Sequence, residues 1–305
     1  MRKSLWSVLA VAVSLAITNA AASAEVAPRL NAPVRTFQSG MIRVEQFGKP
    51  GKPAVILIPG LYCGSWEWNR QIPLIAAAHA VYAVTLPGFD GLPSVRDGRL
   101  MKRAIRDIHA LIVSERLHKP TIVGHSLGGT LAIDFAEEYP QTIGAVISAE
   151  GGYPAAQTQA ARQKSVEDDA KPFVSVSQAA FGPTLRKTQL QYVITNKRDV
   201  DAVERLASRS DPKAVVAWMR AALTLDLTPG LSKIRGPFIE IVPFDGLIDP
   251  YQGYKSLAQK RAAYDRFVAH APHGRVIMVA HSRHFMMFDQ PELFNRALFV
   301  ALLRF

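Results

Sequence analysis

The 305-residue chain has one cysteine, Cys63, so no disulfide can form within it, even in an oxidising compartment. The neighbours of Cys63 in "GLYCGSW" are small or aromatic, which suits a packed loop better than a reactive thiol. The sequence contains no zinc-type Cys/His spacing, no run of Lys and Arg, and no interleaving of aromatic with basic residues. A metal-centred fold and a nucleic-acid partner are therefore not expected, although the formal charge is +11. Internal repeats are absent too. Long apolar runs are confined to the N-terminus, and none is long enough to make a stable membrane span.

That N-terminal stretch has an order of its own. Arg2 and Lys3 precede an apolar run from Leu5 to Ile17, and Ala22-Ser23-Ala24 follows. A basic start, a short apolar core and an A-x-A site predict a secretory signal peptide over residues 1–24, with Glu25 as the first mature residue. The protein is then expected to be exported, periplasmic or secreted, with a retained signal anchor as the alternative. Cleavage removes Arg2 and Lys3 and no acid, lowering the formal charge from +11 by two, to +9. About 280 mature residues can hold one sizeable core with an insertion.

Apolar strand-like runs recur along the rest of the chain: residues 53–60, 81–88, 120–125, 144–152, 236–246 and 274–282. An early hairpin strand is expected in "GMIRVEQFG". Helical spacing is expected over 65–79, 98–117, 127–139, 251–270 and 291–304. Alternation of this kind predicts an α/β fold with a mostly parallel sheet flanked by helices on both faces. Residues 153–233 break the rhythm with consecutive helical patterns and no convincing strand. The expected organisation is a core formed by 25–152 and 234–305, with 153–233 as an inserted all-helical cap. Phe173, Phe181, Tyr192, Trp218 and Met219 in that insertion suit substrate contact and core packing equally well.

Within "TIVGHSLGGTLAIDFAEEYP", Gly124, Ser126 and Gly128 have the spacing G-x-S-x-G between a strand pattern and a helix pattern. Such a join forces the central serine into strained backbone geometry, and the small neighbours let strand and helix approach closely. The serine then stands at a helix N-terminus, clear of the sheet.

Together with "IPGLYCGSW", "TLPGFDG" and "HSRHFMMFDQPELF", this segment resembles the α/β-hydrolase family, over nearly all of the mature sequence. The resemblance implies that Ser126 is a nucleophile and that the base follows the last strand, where His284 stands. His281, at the strand end, is the local competitor. His125 matches the residue that commonly precedes the nucleophile and is expected to pack near the site. His79, His109, His118, His270 and His273 are expected to be solvated. For the acid, the family's usual place after the seventh strand offers Asp245 and Asp249; Asp245 is the expected residue, and a cap of the following helix accounts for Asp249. Glu150, ending the sixth strand, is a rival, because some family members take their acid there. The backbone N–H groups of Leu61 and Leu127 are implied as the oxyanion hole. Pro59-Gly60 replaces the usual His-Gly, which removes a side chain that commonly braces that loop.

The expected activity is that of a serine hydrolase acting on a carboxylic ester, lactone or related small-molecule acyl compound through an acyl-enzyme, without metal or organic cofactor. A dehalogenase or epoxide hydrolase is disfavoured, because each needs a carboxylate where Ser126 stands. An acyltransferase or aminopeptidase-like amide hydrolase uses the same residues and remains open, as does a non-catalytic binding protein on a hydrolase fold.

Overall fold

The protein is described by a computed structural model covering residues 32–95, 98–153 and 158–303. The expected signal peptide and its cleavage site lie outside the described residues. Eight strands form one sheet: β1 (Arg35–Ser39), β2 (Ile42–Phe47), β3 (Ala54–Ile58), β4 (Ala80–Thr85), β5 (Thr121–His125), β6 (Ala145–Ala149), β7 (Phe238–Phe244) and β8 (Gly274–Ala280). Their order is β1-β2-β4-β3-β5-β6-β7-β8. β1 and β2 are a hairpin at one edge, with β2 antiparallel to β4; every pairing from β4 to β8 is parallel. β1, "RTFQS", is mostly exposed and carries no apolar run, so periodicity does not reveal it.

The helices are α1 (Ile72–Ala76), α2 (Leu100–Ser114), α3 (Leu127–Glu138), α4 (Gln159–Ala170), α5 (Gln178–Leu185), α6 (Gln191–Val193), α7 (Lys197–Ala207), α8 (Pro212–Ala222), α9 (Leu257–Val268), α10 (Met286–Asp289) and α11 (Pro291–Leu302). β3, β4 and β6 are buried at every position, as a parallel sheet covered on both faces requires. The helix expected over 65–79 is split: a 3-10 turn at Ser65–Trp68 precedes the short α1, with Pro73 at the start of α1. The one expected over 251–270 is also shorter, because a 3-10 turn ends in left-handed Gly253 before Ser256 caps α9.

Between β6 and β7 the chain forms α4 to α8, and side-chain caps start four of these helices. Thr158, Ser177, Asn196 and Asp211 each accept a backbone N–H in the first turn. Phe173, Phe181, Trp218 and Met219 are buried, and the Trp218 indole N–H donates to the Pro87 carbonyl at 3.0 Å. Tyr192 is instead half exposed and faces the cleft described below.

Backbone strain concentrates at one edge of the sheet. Tyr62, Asp90, Ser126, Glu150 and His281 have φ between 47° and 57°, and they follow β3, β4, β5, β6 and β8 in turn. A left-handed non-glycine residue costs on the order of 1–3 kcal/mol and persists only where the surroundings enforce it. These residues sit past the carboxyl ends of the parallel strands, where ligand sites form in open α/β sheets.

Candidate active site

A cleft of about 450 Å³ opens at that edge, lined by Leu61, Tyr62, Ser126, Glu150, His284 and residues of the helical insertion that include Tyr192 and Met219. Ser126 is the residue between β5 and α3, at φ 52° and ψ −119°. A Cβ on Gly124 would overlap the Gly128 carbonyl, and one on Gly128 would overlap the Ile58 carbonyl. Both positions therefore need glycine because backbone meets backbone there. The Ser126 N–H donates to the Ala149 carbonyl at 2.9 Å, tying the turn to the end of β6.

His284 follows β8 and faces the same cleft. Its Nδ1 lies 2.7 Å from Glu150 Oε2. An ionised carboxylate can only accept, so Nδ1 carries the hydrogen and Nε2 is left to take a proton. Burial opposes the Glu150 charge, but the Lys260 ammonium and His284 outweigh it, and the carboxyl is pulled down to about 2. Glu150 is ionised at neutral pH.

The expectation that Asp245 partners His284 is therefore corrected. Asp245 Oδ2 accepts from Arg283 Nε at 3.2 Å, while its Oδ1 accepts the Leu247 N–H at 2.7 Å and closes its own turn. Asp249 is not the partner either. One oxygen accepts the Asp245 N–H at 2.7 Å and the other lies 2.7 Å from Lys260 Nζ. The loop after β7 spends both aspartates on local order, and the left-handed residue after β6 turns Glu150 towards the histidine.

His281 does not line the cleft, nor do His79, His109, His118, His270 or His273. His125 is fully buried beside the site, its ring centroid 4.6 Å from that of His284. Its Nδ1 lies 2.5 Å from Glu67 Oε1, and its Nε2 lies 3.1 Å from the His284 carbonyl. Glu67 Oε2 accepts the Gly60 N–H at 2.7 Å. Glu67 thus braces the loop that lacks the usual histidine, and one buried carboxylate links that loop, the elbow and the His284 backbone. Leu61, next in this loop, lines the cleft. Leu127 is the first residue of α3, where a backbone N–H has no acceptor within the helix.

Three site residues escape the sequence reading: Glu67, Lys260 and Arg283. Lys260 had a legible signal, since it shares the buried α9 stripe with Ala263, Tyr264 and Phe267 at helical spacing. Arg283 lies beside His284 and also donates to the Gln191 carbonyl at 2.9 Å, fastening the helical insertion to the histidine loop. Cys63 is buried, and burial, then the Glu67 charge, push its thiol well up, so it is an inert packing residue. Among the described residues, no three His, Cys, Asp or Glu side chains cluster as a metal site, and no helix is long and apolar enough to cross a membrane.

Comparisons agree with this architecture. The sequence profile of the alpha/beta hydrolase family matches residues 55–297. A 2-succinyl-6-hydroxy-2,4-cyclohexadiene-1-carboxylate synthase of Salmonella paratyphi C is 26% identical over 232 residues, covering 74% of this chain and 88% of the relative. Among solved structures, a carboxylesterase study protein of Nitrososphaera gargenis superposes with a TM-score of 0.70 at 18% identity, covering 88% of this chain and 98% of its own. The enol-lactonase of Burkholderia xenovorans LB400 superposes with a TM-score of 0.72 at 13% identity, covering 88% and 100%. At such identities the superpositions speak for the fold alone. The chain belongs to the alpha/beta hydrolase family and is a hydrolase of that family.

Proposed function

We propose that the protein is an exported serine hydrolase that cleaves a carboxylic ester or lactone of a small molecule through an acyl-enzyme on Ser126. The observation that carries this reading is the 2.7 Å contact from His284 Nδ1 to Glu150, in a cleft shared with Ser126 on its strained turn. Ser126 Oγ attacks the acyl carbon while His284 Nε2 takes the hydroxyl proton. The substrate oxygen gains the carbonyl electron pair and accepts from the N–H groups of Leu61 and Leu127. Collapse restores the carbonyl and breaks the bond to the alcohol oxygen, which receives the proton from His284. Water then repeats the sequence: His284 takes one proton, the hydroxide adds to the acyl carbon, and Ser126 leaves with that proton. Glu150 stays ionised throughout and offsets the imidazolium charge. No metal or organic cofactor takes part in these steps.

The test is labelling of the purified mature protein by a fluorophosphonate probe, with turnover of a short-chain nitrophenyl ester measured against an aminoacyl anilide. Labelling that Ser126→Ala abolishes, with ester turnover falling by about 10³-fold or more, is the expected result. Normal ester turnover by the alanine variant would overturn it, and preference for the anilide would move the reading to an amide hydrolase. Export is checked by the intact mass of protein recovered from its native envelope or medium. That mass should correspond to a chain starting at Glu25, and a chain retaining Met1 would refute it.

A further inference from the structure

Behind Glu150 lies a cation that the triad does not require. Lys260, on the buried face of α9, is only 2% exposed. Its Nζ donates to Glu150 Oε1 at 2.9 Å and lies 2.7 Å from Asp249 Oδ1. The two oxygens of Glu150 are thus divided, Oε1 to Lys260 and Oε2 to His284. A single bridging carboxylate can be aimed by holding its far oxygen, and a lysine inside a helix is a rigid place to hold it from. An ammonium buried to this degree is costly unless it is paired, and here it has two carboxylates.

Resting on the serine-hydrolase reading above, we propose that Lys260 is a positioning residue: its buried ammonium aims Glu150 at His284 and sets the pH at which the histidine becomes an effective base. The other titratable groups packed around Glu150 leave that work to Lys260 and Asp249. Tyr254 and Tyr264 are raised chiefly by burial, and so are neutral phenols. Burial pushes the Glu240 carboxyl on β7 well up, which favours its neutral form. Burial opposes the Lys260 charge, yet Glu150 and Asp249 outweigh it and raise the ammonium above its ordinary value. Around Glu150 the charged set is one lysine between two carboxylates, a net single negative charge. His125 on the Glu67 carboxylate and the Arg283–Asp245 pair also stand beside His284 and are the same in every variant below. The net charge around Glu150 matches the imidazolium formed during attack. With no lysine the histidine would face two negative charges and hold its proton too tightly to serve at mildly acid pH.

The sign follows without assigning the proton to either partner of the Glu150–His284 pair. Removing a nearby positive charge makes the pair harder to deprotonate, whichever member carries the proton. Removing a nearby negative charge makes it easier. The rate of fluorophosphonate labelling against pH reads this directly, because labelling needs His284 in its basic form. In Lys260→Met the acidic limb should move to higher pH by about one unit, so that labelling below the limb is ~10-fold slower than wild type. In Asp249→Asn the limb should move the opposite way. In Lys260→Met/Asp249→Asn the net charge of the cluster is conserved; the limb should return close to wild type while the plateau rate stays reduced, because nothing then aims Glu150. Loss of one partner from a buried ion cluster can prevent folding, so circular dichroism accompanies each variant. If Lys260→Met does not fold, Asp249→Asn and the charge-conserving double variant carry the test. Unmoved limbs in the folded variants would overturn the role of Lys260, leaving it a structural ion pair. Failure of wild-type protein to label at any pH would instead refute the serine-hydrolase reading itself.

Discussion

Ser126 and His284 can be read from the sequence because each sits in a local pattern. The strand–G-x-S-x-G–helix join dictates the serine's backbone, and the segment after the last strand supplies the histidine. The acid has no such pattern. Glu150 is 134 residues from His284, and three carboxylates stand at strand ends in the sequence. What separates them is side-chain direction: Asp245 turns to Arg283 and its own loop, whereas a φ of 49° at Glu150 points that carboxylate across the sheet edge. A replacement series follows from this. Glu150→Gln should lower turnover by about 10²-fold or more, and Asp245→Asn by less than about tenfold. The acidic limb of kcat/KM in Glu150→Gln should shift to lower pH, because His284 loses the anion that favours its charged form. Since this change strands Lys260 without one partner, Glu150→Gln/Lys260→Met serves as the folded control. A large fall in Asp245→Asn with none in Glu150→Gln would return the acid to the loop after β7.

At the scale of elements, the parallel strands and long helices were legible from apolar runs, and the departures have local causes. β1 was hidden because an exposed edge strand needs no apolar alternation, and Pro73, Gly253 and Ser256 cut two expected helices short. The β5–α3 join gives a steric prediction. Gly128→Ala drives a methyl group into the Ile58 carbonyl, so loss of soluble protein or a cost at or above the ~1–3 kcal/mol usual for overpacking is expected. Gly98→Ala, with open space around it, should leave the melting temperature nearly unchanged. β6 and its loop give a second. Ser148 on β6 is in register with Glu240 on β7, and Glu240 Oε1 accepts the Gly151 N–H at 3.2 Å, steadying the loop that carries Glu150. The two glutamates titrate in opposite senses. Glu150, depressed to about 2, contributes stability that is present above the unfolded value near 4.5 and lost as pH falls towards 2. Glu240, raised by burial, stabilises relative to the unfolded chain at low pH, and that contribution is lost as pH rises from about 4.5 towards its folded value. Glu240→Gln should therefore gain on wild type between pH 5 and pH 8, by no more than ~1.4 kcal/mol for each pH unit. Thermal unfolding of both proteins across that range measures it, and a constant difference would show that Glu240 is already ionised in the fold.

At the scale of the whole molecule, the overall charge and the charge of the cleft have opposite signs. The chain carries a formal +11, which taken alone suggests attraction for anionic substrates. The charged side chains lining the cleft are Glu150, Asp169, Asp245, Asp249, Lys260 and Arg283, four acids against two bases. Both bases are already engaged. Lys260 holds Glu150 and Asp249, and Arg283 holds Asp245 and the Gln191 carbonyl. Lys260 cannot meet a substrate carboxylate without abandoning a buried partner, and the charge of Arg283 is already offset by Asp245. Asp169, on α4, faces the cleft, and burial followed by the charge of Asp168 raises its carboxyl, the direction expected of an acid without a strong cationic partner. An acyl group bearing its own carboxylate should accordingly bind poorly, despite the basic surface. Nitrophenyl butyrate and nitrophenyl hemisuccinate have acyl chains of the same length and differ by one terminal carboxylate. The butyrate is expected to have kcat/KM at least ~10-fold higher, which corresponds to about 1.4 kcal/mol of unfavourable interaction in the transition state. Added salt should narrow the difference, since screening weakens repulsion across an open cleft. Asp169→Asn should narrow it too, by raising the hemisuccinate rate while leaving the butyrate rate within about twofold. Equal rates on the two esters at low salt would mean that a cation in the cleft is free to bind the carboxylate, and Arg283→Gln would then show whether it is the guanidinium that leaves Asp245 to do so.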